Sequence, residues 1–342
     1  MASLPLGTNL TLAEIQRRRD PKGNLADRID TISQENRIWE DIVLVPCNNG
    51  KFHEDRLIAT RPSGTERAIN EGITQEASTT QTITEPTCML AALSRVDEAV
   101  IKGNMAARAD EDAEFVKGMM ETVVSRLFDG ARSTDLRRIN GIHNRTNYNS
   151  LTNTTKTVFD NAGGAASGTA NKTSMYFFQW GLKKLYLIYP EGDERAQGNG
   201  PIKVTDYGKS IIDQAGTSGA KHYPAWQSWF NFDFGLFIAD YRCIKRVVNI
   251  STSNIDGVND FSIDENALID AQSELEYGGA GAVIYCNKTV LAQIRKRANE
   301  KGNAFYTQTE GEGPFARSVT YWDGIPIKRV DAITNDQATV TA

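Results

Sequence analysis

Residues 104–128, NMAARADEDAEFVKGMMETVVSRLF, read as one long helix, and the rest of the chain is organised around it. Asn104 is a suitable N-cap, because its side-chain oxygen can accept from a first-turn N–H. Asp110, Glu111, Asp112 and Glu114 crowd the first half, where the helix dipole favours negative charge. Met105, Ala109, Ala113, Val116, Met120, Val123 and Leu127 recur three or four residues apart and form one apolar stripe. Phe115, Met119 and Val124 widen it, and Gly130 is a natural stop. At 1.5 Å per residue the helix is about 37 Å long, well beyond the mean of about 11–12 residues. It is a spine on which other elements lie. The stripe predicts a helix core of Met105, Val116, Met120, Val123 and Leu127, with Met120 buried enough that aspartate there would prevent folding. A single helix fits an ordinary α/β enzyme equally well, so its flanks decide the fold.

Upstream, residues 1–47 read as an N-terminal arm, with a helical stretch from Leu12 to Arg19, a second helix capped by Asn24, and a short strand from Ile42 to Val45 closed by Pro46. Residues 48–98 read as a two-stranded excursion. Asn49-Gly50 signals a turn, Lys51–Thr60 is strand-like, Arg61-Pro62-Ser63-Gly64 turns again, and Thr82–Val96 returns, interrupted at Pro86. An isolated two-stranded ribbon is marginal in water, and this one carries too few apolar residues to make a core. It must lie on something, and the simplest support is a neighbouring subunit.

Downstream, Ser174–Tyr189 and Phe230–Ile250 read as two long strands rich in aromatic and β-branched residues, with Gly181 and Gly235 expected at bulges or bends. The polar stretch Glu191–Pro224 between them is a second excursion. The spine, these strands and that excursion make a region spanning 99–255. Residues 256–342 alternate helix and strand. A capping box Ser262-x-x-Glu265 opens one helix, Ala282–Cys286 is a strand, Lys288–Lys301 a second helix, and Asp323-Gly324 turns a hairpin. This part is expected to be an α/β unit with its own core.

Composition narrows the function classes. The chain has 342 residues, 40% hydrophobic, and no apolar run approaching the ~18 residues of a spanning helix, so no membrane role is expected. No secretory signal is read at the N-terminus. Cys47, Cys88, Cys243 and Cys286 are far apart and form no CxxC, which favours free thiols over a zinc site. The net charge of −5 is unlike that of a typical nucleic-acid binder, although a protein that merely encloses nucleic acid need not grip phosphates. The dense basic run Arg17-Arg18-Arg19 reads as a solvated face. His53, His143 and His222 lie in unrelated contexts, and no HExxH, GxSxG or GxGxxG occurs. The Gly-rich loop Asn161–Lys172 lacks the Lys-Ser/Thr pair of a P-loop. Tyr223, Trp226, Trp229, Phe230 and Phe232 fit strand core or subunit interface better than a sugar groove. No catalytic, metal-binding or cofactor-binding residue is assigned, and no cofactor is expected.

The order of elements, from arm through excursion, spine and long strands to the α/β unit, resembles the major capsid proteins of tailed bacteriophages with the Hong Kong 97-type fold. The local sequence is similar to the family of short-tailed phages related to epsilon fifteen. The stretches that carry this are Met89–Asp97 (MLAALSRVD), Leu127–Gly141 (LFDGARSTDLRRING), Trp180–Pro190 (WGLKKLYLIYP), Phe234–Ile250 (FGLFIADYRCIKRVVNI), Ile284–Leu291 (IYCNKTVL) and Ile325–Ile333 (IPIKRVDAI). The resemblance implies an α+β fold with an N-arm (1–47), an E-loop (48–98), a P-domain with its spine helix (99–255) and an A-domain (256–342). It implies a homo-oligomer of pentamers and hexamers that tiles an icosahedral shell around double-stranded DNA without reading its sequence. Scaffolding, decoration and portal proteins are the further partners it suggests, the assembled host-cell cytoplasm product being the virion. Arg61, Pro62, Glu66, Arg67, Thr79 and Thr80 on the excursion are the expected inter-subunit contacts. An encapsulin-like cargo shell shares the fold, and a carbohydrate-active enzyme or a shell-binding accessory protein are readings from other classes.

Overall fold

The computed structural model describes residues 34–101, 105–152, 154–161, 171–191, 202–213, 222–252, 263–298, 305–310 and 317–341. The Arg17–Arg19 run, the Asn104 cap, Ser262 and the Gly-rich residues 162–170 lie outside them. Strands β1 (Leu44–Pro46), β2 (Phe52–Thr60), β3 (Thr79–Pro86) and β4 (Cys88–Asp97) lead through a short helix α1 (Glu98–Ile101) to the spine α2 (Ala106–Asp129). Strands β5 (Val158–Asp160), β6 (Lys172–Gln179), β7 (Leu185–Tyr189), β8 (Lys203–Asp213), β9 (His222–Ile238) and β10 (Ile244–Ser251) follow. The chain ends with α3 (Glu265–Ser273), β11 (Ala282–Cys286), α4 (Lys288–Ala298), β12 (Phe305–Glu310), β13 (Arg317–Trp322) and β14 (Ile325–Arg329). These elements form two compact units, one drawing on Met89–Val124 and Glu194–Asp233, the other on Glu35–Cys88, Ser125–Asp193 and Phe234–Ala342.

The larger unit is built on a seven-stranded mixed sheet in the order β12-β13-β14-β11-β6-β10-β5. Every residue of β6, β10 and β11 is buried, as in strands covered on both faces, and this is why they lack clean alternation in sequence. Period two still sorts their side chains. Met175 and Phe177 of β6 join Val247, Ile284, Leu268 and Ile294 in the core beneath α3 and α4. Tyr176 and Phe178 point the other way, with ring centroids 5.0 and 6.1 Å from Phe128 at the end of the spine.

Several expectations are corrected here. The long strands predicted at Ser174–Tyr189 and Phe230–Ile250 each break in two, and the halves enter different sheets. Gly181 and Lys183, at φ +156° and +62°, turn the first. In the second, Asp240 accepts from the Arg242 N–H at 2.9 Å and opens a 3₁₀ turn over Tyr241–Cys243. Gly235 makes no bulge. A Cβ there would lie 2.8 Å from Ile188 Cγ1 and from the Pro86 carbonyl oxygen, so glycine is present for close packing. Nor does the last third close its own core, because β11 pairs with β6 and the core under α3 and α4 takes residues from β6 and β10. The cap of α3 is Asp264, which accepts from the Asn266 N–H. The predicted hairpin turn at Asp323-Gly324 is present with both residues at positive φ, the type I′ signature.

The spine ends as its sequence suggests, but for a sharper reason than helix stopping. Gly141 N–H donates to the Gly130 carbonyl at 2.7 Å. A Cβ on Gly141 would lie 2.6–2.8 Å from three backbone atoms of residues 126, 128 and 130. Both glycines let the 139–141 backbone pack against the last helical turn. Along the helix Val123 and Leu127 are buried, as are Met119, Val124 and Phe128. Val116 and Met120 are half-buried, and Met105 is 47% exposed. The apolar face is therefore rotated from the predicted stripe toward Met119 and Val124, and it deepens toward the C-terminal end.

In the smaller unit β8 pairs antiparallel with β9 from Lys203↔Asn231 to Asp213↔His222. Phe115 stacks on Phe230 at 5.7 Å. The Arg108 guanidinium lies 5.2 Å over the Trp226 ring, pairs with Asp206 and donates to Ser228 Oγ at 2.8 Å. Ser228 donates in turn to Asp112 at 2.8 Å. The aromatic cluster of β9 is thus used for packing: Phe230 and Phe232 are fully buried.

Two imidazoles, His53 buried and His143 largely covered, make stability depend on pH. His143 lies between the Asp129 carboxylate and the Tyr176 hydroxyl, and burial lowers its pKa despite Asp129. Burial also lowers that of His53. Below about pH 6.5 the unfolded chain takes up these protons and the native state resists them, so stability is full above that pH and declines as pH falls. The urea midpoint is expected to drop between pH 7 and 5.5, and His143→Gln should flatten that drop.

Candidate functional site

The hairpin of β2 and β3 is the feature that the rest of the chain least explains. Its ladder runs from Phe52↔Pro86 to Thr60↔Thr79, and residues 61–78 beyond it form an irregular tip. Alternation gives the ribbon two faces. His53, Asp55 and Leu57 are opposite Glu85, Ile83 and Gln81, and all but Gln81 are at least partly covered. Phe52, Glu54, Arg56 and Ile58 are exposed.

The covered face is bolted down at its root. His53 Nε2 is 3.0 Å from the Tyr186 hydroxyl, and its ring meets Phe237 edge-on at 4.6 Å. Ile83 packs on Cys47, Tyr186, Ile188, Phe237 and Ala239. Arg145 pairs with Glu85 at 2.6 Å and donates to the Asn140 and Leu236 carbonyls at 3.1 and 3.2 Å. One guanidinium thereby joins β3, the loop after the spine and β9. Truncating it would strand a largely buried carboxylate and two carbonyls. Arg145→Ala is expected to cost about 2–4 kcal/mol, read as a lower urea midpoint in the unassembled protein.

The tip has no such anchors. Ser63 and Gly64 N–H groups donate to Glu76 at 3.0 and 3.3 Å, and Ala68 N–H donates to Glu71 at 2.9 Å. These bonds are all internal to the tip. Every residue from 58 to 82 is exposed, with Ile69 at 92% and Ile73 at 66%. Arg61, Pro62, Glu66 and Arg67 lie on this tip. Thr79 and Thr80 lie on the first residues of β3, and the Thr79 hydroxyl is 2.6 Å from that of Thr60. The structure thus gathers all six expected contact residues at one end of one ribbon. The spine-core set, Met105, Val116, Met120, Val123 and Leu127, belongs to a separate helix with a packing role.

Between the covered face and the body run two adjoining cavities of about 470 and 460 Å³, which share Leu57, Ala239 and Tyr241. Arg145 and this groove are the parts sequence reading missed. The alternation His53-x-Asp55-x-Leu57 signals a covered face, but nothing local in the sequence says which arginine meets Glu85, 60 residues away.

Among the described residues no group of three or more His, Cys, Asp or Glu side chains could hold a metal ion, and no helix is long and apolar enough to cross a membrane. All four cysteines are buried thiols, none of them in a disulfide among the described residues.

A family model described as major capsid protein GP7 matches residues 20–341. A chain of the near-atomic bacteriophage epsilon15 structure is similar over 100% of both chains, with 27% identity and a TM-score of 0.77. The bacteriophage JBD30 capsid aligns over 89% of this chain and 93% of its own, at 9% identity and a TM-score of 0.49. The holo-SrpI encapsulin complex from Synechococcus elongatus PCC 7942 aligns over 72% and 98%, at 9% and 0.45. No curated protein sequence matches the chain.

Proposed function

The chain belongs to the major capsid protein GP7 family, and from that premise we propose how this capsid subunit builds its shell. The fold is the Hong Kong 97-type α+β fold of phage capsid proteins. The subunits associate as pentamers and hexamers that close an icosahedral shell around double-stranded DNA, in the cytoplasm of the bacterial host, and the shell becomes the virion capsid. Residues 1–47 act as the N-arm, 48–98 as the E-loop, 99–255 as the P-domain and 256–342 as the A-domain. Scaffolding, decoration and portal proteins are further partners in this reading.

The observation that carries it is the match over the whole chain at a TM-score of 0.77. The ribbon supplies the physical logic. A root held by Arg145, His53 and Ile83 and a tip with no anchor to the body make an arm that is rigid at its base and unsatisfied at its end. Covering Ile69 and Ile73 on an adjacent subunit removes apolar surface that the isolated chain leaves in water. A heterologous contact of this kind, repeated around an axis, closes into rings. In an obligate assembly each interface buries about 2,000–5,000 Å².

Electron microscopy and light scattering of protein co-expressed with its neighbouring phage genes test the proposal. Icosahedral shells, or pentamers and hexamers, are expected. A stable small oligomer that never assembles under those conditions would overturn it.

A further inference from the structure

Residues 334–341 form neither helix nor strand, yet the body holds them at every few residues. We infer that they are a releasable strap: they lie as an extended peptide in a groove that reads their main chain, and the groove lets go of them and retakes them while the rest of the fold stays intact. The inference concerns the single subunit and does not depend on the shell reading. Gln337 N–H donates to the Lys172 carbonyl at 2.9 Å. The Asn249 side-chain amide grips Val340 on both sides, its Oδ1 accepting from the Val340 N–H and its Nδ2 donating to the Val340 carbonyl, each at 3.0 Å. Asn249 holds this pose at φ +63°, a left-handed conformation in the middle of β10, where the pairing with β6 also shifts register. Such a residue is costly unless its surroundings require it, and here it presents an amide to a neighbouring backbone as an adjacent strand would.

Two side chains of the strap point inward, three residues apart. Val340 packs on Val158 and Val248. Gln337 Oε1 accepts from Ser174 Oγ at 2.5 Å and from Arg246 Nη2 at 3.1 Å. Arg246 is 2% exposed. Its other bonds go to neutral oxygens, chiefly the Tyr148 carbonyl at 2.8 Å and Ser174 Oγ at 3.1 Å, and no carboxylate among the described residues pairs with it. A buried cation is costly unless it is paired, and an ionised acceptor would bind it more strongly than a neutral amide does. Gln337 also leaves its Nε2 buried without a partner. The groove thus suits an extended peptide with a carboxylate three residues before a small apolar side chain, and its present occupant carries an amide there instead.

The remaining contacts are weak by comparison. Residues 334, 335, 336, 338 and 341 are exposed, and the strap pairs with no strand in a ladder. Ordering its backbone costs entropy, and one apolar anchor with one imperfect polar anchor offsets little of it. Segments with so few buried apolar contacts open far below the cost of global unfolding. Gln337 in place of an acid keeps the strap on the releasable side.

Hydrogen exchange of the full-length, unassembled protein, followed by mass spectrometry, tests this. The amides of 334–341 are expected to exchange about a hundredfold or more faster than those of β6 and β10. Gln337→Glu should slow them about tenfold or more, whereas Asn249→Gly, which keeps the positive φ but loses the clamp, should speed them. A second measurement supplies the strap in trans. The full-length Gln337→Leu/Val340→Asp protein, its own strap disabled, is mixed with a labelled synthetic peptide of residues 334–342. Fluorescence anisotropy should show binding to this variant and far less to wild type, and the Gln337→Glu form of the peptide should bind about tenfold tighter. Amides of 334–341 that exchange only together with β6 and β10 would overturn the proposal, since the segment would then be ordinary core. So would a Gln337→Glu protein exchanging as fast as wild type, or a folded double variant that binds neither peptide. Wild-type protein that shows the exchange pattern only as a dimer would assign the strap to a second copy and overturn its place within one chain. The exchange measurements stand without the double variant, so its failure to fold would not shield the proposal.

Discussion

Val123→Asp is expected to yield no folded protein: aggregate on expression, and no cooperative urea transition in any soluble fraction. Val123 is 0% exposed, as are Val124 and Phe128, and Leu127 is 1% exposed. A carboxylate placed there must stay charged without a partner or protonate. A shift of 3–5 pKa units for a fully buried acid corresponds to about 4–7 kcal/mol. Loss of the valine side chain from the core adds about 1.5–3 kcal/mol. Together these rival the whole stability of about 5–15 kcal/mol of an ordinary domain. The same change at Met120, expected from the stripe to be equally lethal, should only weaken the fold, because Met120 is half-buried and the charge can reach water. Met105→Asp should be nearly silent in the isolated chain, since Met105 is 47% exposed. The ranking Val123 worst, Met120 intermediate, Met105 mild is read from urea midpoints. A soluble Val123→Asp protein with the wild-type midpoint would show that this face of the spine meets no core.

That ranking also shows what the sequence can and cannot convey. The spine, the Asn49-Gly50 and Asp323-Gly324 turns and the ribbon from Phe52 to Pro86 were legible because each depends on local chemistry: period, turn residues, a missing N–H. The phase of the spine was harder. Met105, Met119 and Met120 are equally apolar, and only the neighbours on each side decide which of them is covered. The two broken strands show the limit most plainly. Leu185–Tyr189 and Lys172–Gln179 are both apolar runs, so hydropathy joins them, whereas Gly181 and Lys183 at positive φ separate them into different sheets. The same holds at Asp240, where a single side-chain bond to the Arg242 N–H begins the turn. The root of the ribbon was invisible for another reason. Arg145, Glu85 and Leu236 meet across long stretches of chain, and one sequence has no term for that distance. Arg61, Pro62, Glu66, Arg67, Thr79 and Thr80 are exposed, as expected of a segment with too few apolar residues to make a core.

Replacing residues 61–78 by Asn-Gly is expected to give a folded subunit that builds no shells. Thr60 and Thr79 are already cross-strand partners, and a two-residue type I′ turn suits the twist of such a ribbon. The deletion removes no residue of the apolar cluster at the root, which is formed around Tyr186, Ile188 and Phe237 with Ile83. It leaves the Arg145–Glu85 pair in place. The hydrogen bonds lost are those the tip makes with itself. Surface changes of this kind move stability by about 0.5 kcal/mol or less, so the urea midpoint of the unassembled protein should stay near wild type. Arg145→Ala offers the contrast, because it weakens the root and lowers that midpoint while leaving every tip residue intact. A tip that serves folding would make the deletion the less stable of the two. A tip that serves assembly makes it the more stable, yet unable to form shells by microscopy and light scattering. Shells of normal size and yield from the deleted protein would remove the tip from the list of subunit contacts.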